Sequence, residues 1–233
     1  MSRAYLTIDD SPTKFTPGIV DYLGDKGIVP VINFIGENIE KHFKEAVYVA
    51  QKGIVIGNHS FTHPHFSKLT LEECREEIKK TEARINDVYK AAGVKRIHRV
   101  FRFPYGDKGG VNKGLIQRML KEEFAFERLD DREIKYNWWS DNNLDKDIDM
   151  FWTFDFREYE LNWGKGYSYN DIIERILDKN PKSGGALLEE DSMHIVLIHD
   201  IEETYEVLPN YFEKIIDYTL SKGVKYVKPK FIR

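Results

Sequence analysis

One regularity constrains this chain more than any other: short apolar runs that end abruptly in polar residues alternate with stretches of helical periodicity. The run "AYLTI" (4–8) stops at Asp9-Asp10-Ser11-Pro12 and reads as a buried strand feeding a loop. A helix follows over 16–26, with Pro17 near its start and Gly27 beyond its end, and "IVPVINFI" (28–35) is again a strand. Residues 39–52 are helical, and "GIVIGNH" (53–59) is a strand. Thr70 with Glu73 spells a capping box that opens a long amphipathic helix stopped by Gly93. Strand-like pieces recur at 98–104, 151–156, 194–200 and 225–229. This β/α alternation predicts an α/β fold around a parallel sheet, open or closed into a barrel. Such sheets place their chemistry at the carboxyl ends of the strands. Those ends here are Asp9-Asp10, His59, Arg102, Asp155 and His199-Asp200.

A length of 233 residues suits one domain over 1–233, and 41% hydrophobic with 32% charged residues is ordinary for a soluble globular protein. The net charge of −4 offers no footprint for nucleic acid. Cys74 is the only cysteine, which excludes an internal disulfide and thiolate zinc clusters, so any metal must be held by His and carboxylate. No signal-peptide core and no stretch of about 18 apolar residues occurs, so the chain as given reads as cytoplasmic with no transmembrane segment. An extracellular or cell-surface location follows instead if a leader has been removed. The oligomeric state is open.

His59, His63 and His65 fall within seven residues of a chain that has seven histidines. His59 and His63, four apart, would stack on one face of a short helical turn and grip one ion from the same side. Satisfied polar histidines are the bland alternative. Asp9 and Asp10 are neighbours at the end of a strand, where adjacent side chains point in different directions and two carboxylates can take different tasks. Alone, Asp-Asp-Ser-Pro reads equally as a turn.

Taken in chain order, "TIDDS" (7–11), "HSFTH" (59–63), "RFPYG" (102–106), "DFREY" (155–159) and "VLIHD" (196–200) resemble the five motifs of the NodB-like polysaccharide deacetylases, carbohydrate esterase family 4. The resemblance spans nearly the whole chain. It implies a distorted, seven-stranded (β/α) barrel that removes N- or O-acetyl groups from an acetylated carbohydrate such as chitin oligomers, peptidoglycan or xylan. It also implies one divalent metal ion, zinc as the first expectation and cobalt, nickel or manganese as alternatives. Residue by residue, it makes Asp10, His59 and His63 the metal ligands and Asp9 the general base, oriented by Arg102. The backbone N–H of Tyr105 would hold the oxyanion, with Tyr105 also bordering the substrate pocket. His199 would be the general acid, with Asp155 setting its tautomer and raising its pKa, and Leu197 with Ile198 would suit the acetyl methyl.

The chain departs from the family pattern in places. Ile8 and Ser11 stand where Phe and Gly are usual, Glu158 and Tyr159 where Asp and Trp are usual, and Val196 where Leu is usual. Two other functions fit the same site: hydrolysis of a small amide or formamide, and carbohydrate binding without turnover. His65 reads as a surface residue and Cys74 as an inert thiol. "DNNLDKDID" (141–149) reads as a solvated acidic loop, since it lacks the Gly and Glu of a calcium loop. Trp138, Trp139 and Trp152 are read as core residues, with a sugar platform as the alternative. The role of the 107–150 insertion is open.

Overall fold

The computed structural model describes residues 1–164 and 166–232. Strand β1 (Arg3–Ser11) is apolar on both faces and buried along nearly its whole length, as a central parallel strand must be. It pairs in parallel with β2 (Val31–Phe34), which pairs with β3 (Val55–Asn58). On its other side it pairs with β6 (Met193–His199), which pairs with β5 (Phe154–Asp155). The start of β1 also pairs with β7 (Lys225–Tyr226). Around this sheet lie α1 (Thr16–Asp25), α4 (Leu71–Ala92), α7 (Tyr169–Leu177), α8 (Glu202–Val207) and α9 (Tyr211–Ser221). Their apolar stripes, such as Ile19, Val20 and Leu23 of α1 and Tyr211, Phe212, Ile215 and Ile216 of α9, share one core with Leu6, Ile8, Val196 and Ile198 of the central strands.

The ring closes irregularly, which makes the barrel a distorted one. The expected strand at 98–104 survives only as a parallel bridge between Asn58 and Phe101. Its backbone groups serve several partners instead of one ladder: Val100 O accepts from Asn58, Arg99 O from Glu127, and Phe101 O from Met150. The 107–150 insertion carries α5 (Lys113–Glu122), β4 (Arg128–Leu129), which pairs antiparallel with β8 (Phe231–Ile232), and α6 (Asn137–Asp141). It covers this open flank with Leu129, Trp139, Leu144 and Met150.

Two further expectations are corrected. The predicted helix over 39–52 is two helices, α2 (Gly36–Lys41) and α3 (Phe43–Gln51), broken at His42 with φ −123° and ψ 45°. The first amides of α2, on Gly36 and Glu37, are bound to the carbonyls of Ser60 and Phe61, so α2 answers to the loop after β3 as well as to its own continuation. The loop 141–149 is not a solvated acidic loop. Asp147 and Asp149 are buried, and Lys108 lies 2.6 and 3.0 Å from them while Lys113 lies 2.9 Å from Asp147. Paired in this way, the two charges can be buried without an ion.

Candidate active site

The carboxyl ends of β1, β3 and β6 deliver Asp9, Asp10, His59 and His199 to one place. One donor set is Asp10, His59 and His63, whose ligand atoms lie within 4.8 Å of one another. His59 Nε2 and His63 Nε2 stand 3.5 and 3.3 Å from Asp10 Oδ1. His59 Nδ1 lies 2.9 Å from the carbonyl of Arg102, an acceptor only, so Nδ1 carries a proton, and in the neutral ring that a ligand needs Nε2 would turn a lone pair toward Asp10. Asp10 Oδ1 itself is buried without a hydrogen-bond partner among the described residues. Lone pairs facing a buried carboxylate oxygen repel unless positive charge stands among them. Atoms about 2.0–2.2 Å from a tetrahedral ion are about 3.3–3.6 Å apart, so the two nitrogen-to-oxygen distances suit one divalent cation. Burial works against the Asp10 carboxylate, but its contact with His59 and the charge of the neighbouring histidines hold its pKa below the ordinary value. Burial, helped by His59, pushes His63 down to about 4, the neutral form a ligand needs.

The expectation that the histidines share a helical turn is corrected. Ser60 and His63 have φ of 64° and 59°, left-handed values, and Pro64 disfavours the helical region at His63. The two rings converge through a bent loop instead. Asp10 and Tyr105 are left-handed as well, with φ 66° and 58°, as is Arg157 at 58°. Among the described residues, five of the nine non-glycine positions with positive φ therefore lie around this site.

Asp9 is almost wholly buried, and its Oδ1 accepts from Asn33 Nδ2 at 2.6 Å and from Arg102 at 2.9 Å. Arg102 is fully buried and is fixed by Thr7 Oγ1 at 2.8 Å and by the Met150 carbonyl at 3.1 Å. Burial would raise the Asp9 carboxyl, but Arg102 with His59 and His199 outweighs it and keeps Asp9 below its ordinary pKa. Asn33, which sequence reasoning missed, is a second donor to this carboxylate.

The expected partner of His199 is corrected. His199 Nδ1 lies 2.8 Å from Glu158 Oε1, which also accepts the His199 backbone amide at 2.5 Å. Asp155 is nearby but accepts from the Arg157 amide at 2.9 Å and from Tyr159. The left-handed turn at Arg157 swings Glu158, fully buried, under the imidazole. Burial would lower the His199 pKa, but the charge and hydrogen bond of Glu158, with Asp10 and Asp155, raise it to about 10. Burial, with Glu158, lifts Asp155 to about 6.

These residues open on a cavity of about 500 Å³ bordered also by Tyr105, Trp152, Tyr159, Trp163 and Leu197. Ile198 points the other way, into the core, because side chains alternate along β6. Tyr105 is 60% exposed and Trp163 54%, and both stand on the rim. A second cavity of about 450 Å³ adjoins the first at Asp10, His63 and Ile201 and reaches Asn38, Lys41, His42 and Glu202. Trp139 is core and Trp138 packs beside it, while Trp152 lines the first cavity. His65 is outside the donor set, stacked on Tyr105 at 4.1 Å and 3.3 Å from Asp107. Cys74 is fully buried, and burial raises its thiol to about 11.

The chain belongs to the polysaccharide deacetylase family, whose match covers residues 2–124. It is 38% identical over 223 residues to a peptidoglycan-N-acetylglucosamine deacetylase of Bacillus cereus, covering 95% of this chain and 65% of that protein. It is 33% identical over 227 residues to chitin deacetylase 1 of Cryptococcus neoformans var. grubii, covering 96% of this chain and 42% of that one. The chain thus spans less than two thirds of either relative. A family 4 carbohydrate esterase from Streptomyces lividans, solved in complex with acetate, shares the fold with a TM-score of 0.61 and 20% identity, over 97% of this chain and 92% of that one. Among the described residues, no helix is long and apolar enough to cross a membrane.

Proposed function

We propose that this chain is a divalent-metal-dependent hydrolase that removes acetyl groups from an N-acetylated sugar polymer of the peptidoglycan or chitin type. The observation that carries the reading is the placement of a buried, ionised Asp9 and a Glu158-bound His199 at the same cavity as the Asp10, His59 and His63 donors. Those three residues would hold the ion, which when bound supplies Lewis-acid polarisation of a carbonyl and a lower pKa for water. Asp9, kept anionic by Arg102 and Asn33, takes the proton of the attacking water as its oxygen bonds to the acetyl carbon. His199 gives its Nε2 proton to the leaving amine nitrogen as the C–N bond breaks, releasing acetate and the amino sugar. Glu158 accepts the Nδ1–H and holds the ring in the tautomer and orientation this requires.

A polymeric substrate is favoured over a small amide by the open rim, where Tyr105 and Trp163 offer aromatic faces of the kind sugar rings stack on. The adjoining second cavity leaves room for neighbouring sugars. The names of the relatives point to glucosamine-type polymers. The complete set of base, acid and donors argues against binding without turnover. Acetate release from acetylated chito-oligosaccharides, peptidoglycan and xylan tests the reading, with the protein stripped by chelator and then reloaded with zinc or cobalt. Release by reloaded protein only is expected. Activity confined to small formamides, or activity indifferent to chelator, would overturn it.

A further inference from the structure

We infer that Glu77 is a positioning residue for the metal centre: its carboxylate clasps the segment between the two histidine ligands and sets where His63 stands. This rests on Asp10, His59 and His63 being the ligands. His59 is anchored without help from Glu77, since it directly follows β3, its amide donates to Phe34 O at 3.0 Å, and its ring is fixed on Arg102 O. His63 has no such strand behind it. Its amide donates to Ser60 Oγ, at 3.1 Å, within the same loop, and its backbone is left-handed.

Between the two ligands, every backbone amide goes to a side chain. Ser60 N donates to Asn58 Oδ1 at 3.0 Å. Phe61 N and Thr62 N both donate to Glu77 Oε2, at 2.9 and 2.8 Å, and Thr62 Oγ1 donates to Glu77 Oε1 at 3.0 Å. The carbonyls of Ser60 and Phe61 are held from the opposite side by the amides of Gly36 and Glu37. Contact there is so close that a Cβ on Gly36 would lie 2.2 Å from Phe61 Cδ2. Glu77 sits on α4, a 22-residue helix capped at both ends, which also holds Asn58 through the Ile78 carbonyl and Glu82. One rigid element thus grips the loop at its root and across its middle. Two left-handed residues in so short a span persist only where the surroundings over-determine them. Removing the Glu77 carboxylate frees two consecutive amides and a hydroxyl, and the relaxation falls on His63 while His59 stays in place.

The test is metal affinity, measured by Zn²⁺ competition with a chromophoric chelator and by the visible spectrum of the Co²⁺-loaded protein, neither of which requires turnover. Glu77→Ala is expected to weaken Zn²⁺ binding about 10- to 100-fold, the usual cost of losing a group that orients a ligand, and to alter the Co²⁺ spectrum. Glu77→Gln retains an accepting oxygen and should fall between, and it carries the comparison if the alanine variant does not fold. Glu73→Ala removes one half of the capping box of the same helix and should lower Tm while leaving Zn²⁺ affinity unchanged. Unchanged affinity and spectrum in a folded Glu77 variant, or an equal loss in Glu73→Ala, would overturn the clasp. Wild-type protein that binds no Zn²⁺ would overturn the ligand set and the clasp with it.

Discussion

His199 and Glu158 share a 2.8 Å hydrogen bond in which one buried carboxylate oxygen also takes the histidine's own backbone amide. Glu158 therefore favours the protonated ring, and its charge is what raises the His199 pKa against burial. Glu158→Gln keeps the shape but removes the charge, so the His199 pKa falls and the alkaline limb of kcat/KM moves to lower pH. Asp155→Asn should move the limb less. A pH–rate profile of both variants checks this, and a limb that moves only with Asp155→Asn would restore the role that the motif assigns to Asp155.

The two adjacent aspartates should separate by metal content. Asp9→Asn keeps the donor set intact and should cost on the order of 10² to 10⁴ in kcat with the metal retained. Asp10→Asn places a neutral amide oxygen where an anionic ligand stood and should lose metal. Metal analysis alongside kcat decides the assignment: metal lost in the Asp9→Asn variant and kept in the Asp10→Asn variant would reverse the roles.

The tryptophans should divide by place. Trp139 is buried with its Nε1 on Asp131 at 2.9 Å, and Trp139→Ala should cost about 3–5 kcal/mol of stability. Trp163→Ala, at the rim, should leave Tm nearly unchanged and raise KM more for a tetrasaccharide than for a disaccharide. Denaturant melts and chain-length kinetics distinguish the two, and equal KM changes for both lengths would remove Trp163 from the substrate path.

At the far end of β6 from the site, His194 is fully buried between Thr153 Oγ1, Ser192 Oγ and Tyr136, and burial lowers its pKa to about 4. The unfolded chain protonates this ring near 6.5, so the native state is favoured fully above that pH and loses stability as pH falls toward 4. The loss should be on the order of 3 kcal/mol. Urea melts from about pH 7 to about pH 4 should show a shallower decline in His194→Gln than in the wild type. Parallel declines would mean that other groups govern acid unfolding.

The strand ends were legible because hydrophobic runs and the polar residues that stop them are local properties, while the roles of the residues on them were implied by the resemblance to the deacetylase motifs. Asp9, Asp10, His59, Arg102 and His199 all stand where such runs end. Three features were not legible, each for a spatial reason. Glu158 outcompetes Asp155 only because Arg157 turns left-handed between them. The run 98–104 has the composition of a strand, but its carbonyls are claimed by partners from three different parts of the chain. Asn33 and Glu77 act on a carboxylate and a loop supplied by other elements, and no periodicity within their own segments signals it.

The left-handed residues around the cavity limit how this protein can be improved. Replacing such a residue by glycine relieves about 1–2 kcal/mol of backbone strain and is an ordinary route to a hardier protein. At Asp10, His63 and Tyr105 that route is closed, since the side chain that suffers the backbone is the one that faces the cavity. Selection for heat resistance should accordingly collect its changes in the helices and in the 107–150 flank. The rim of the barrel would be left as the part that loosens first on warming.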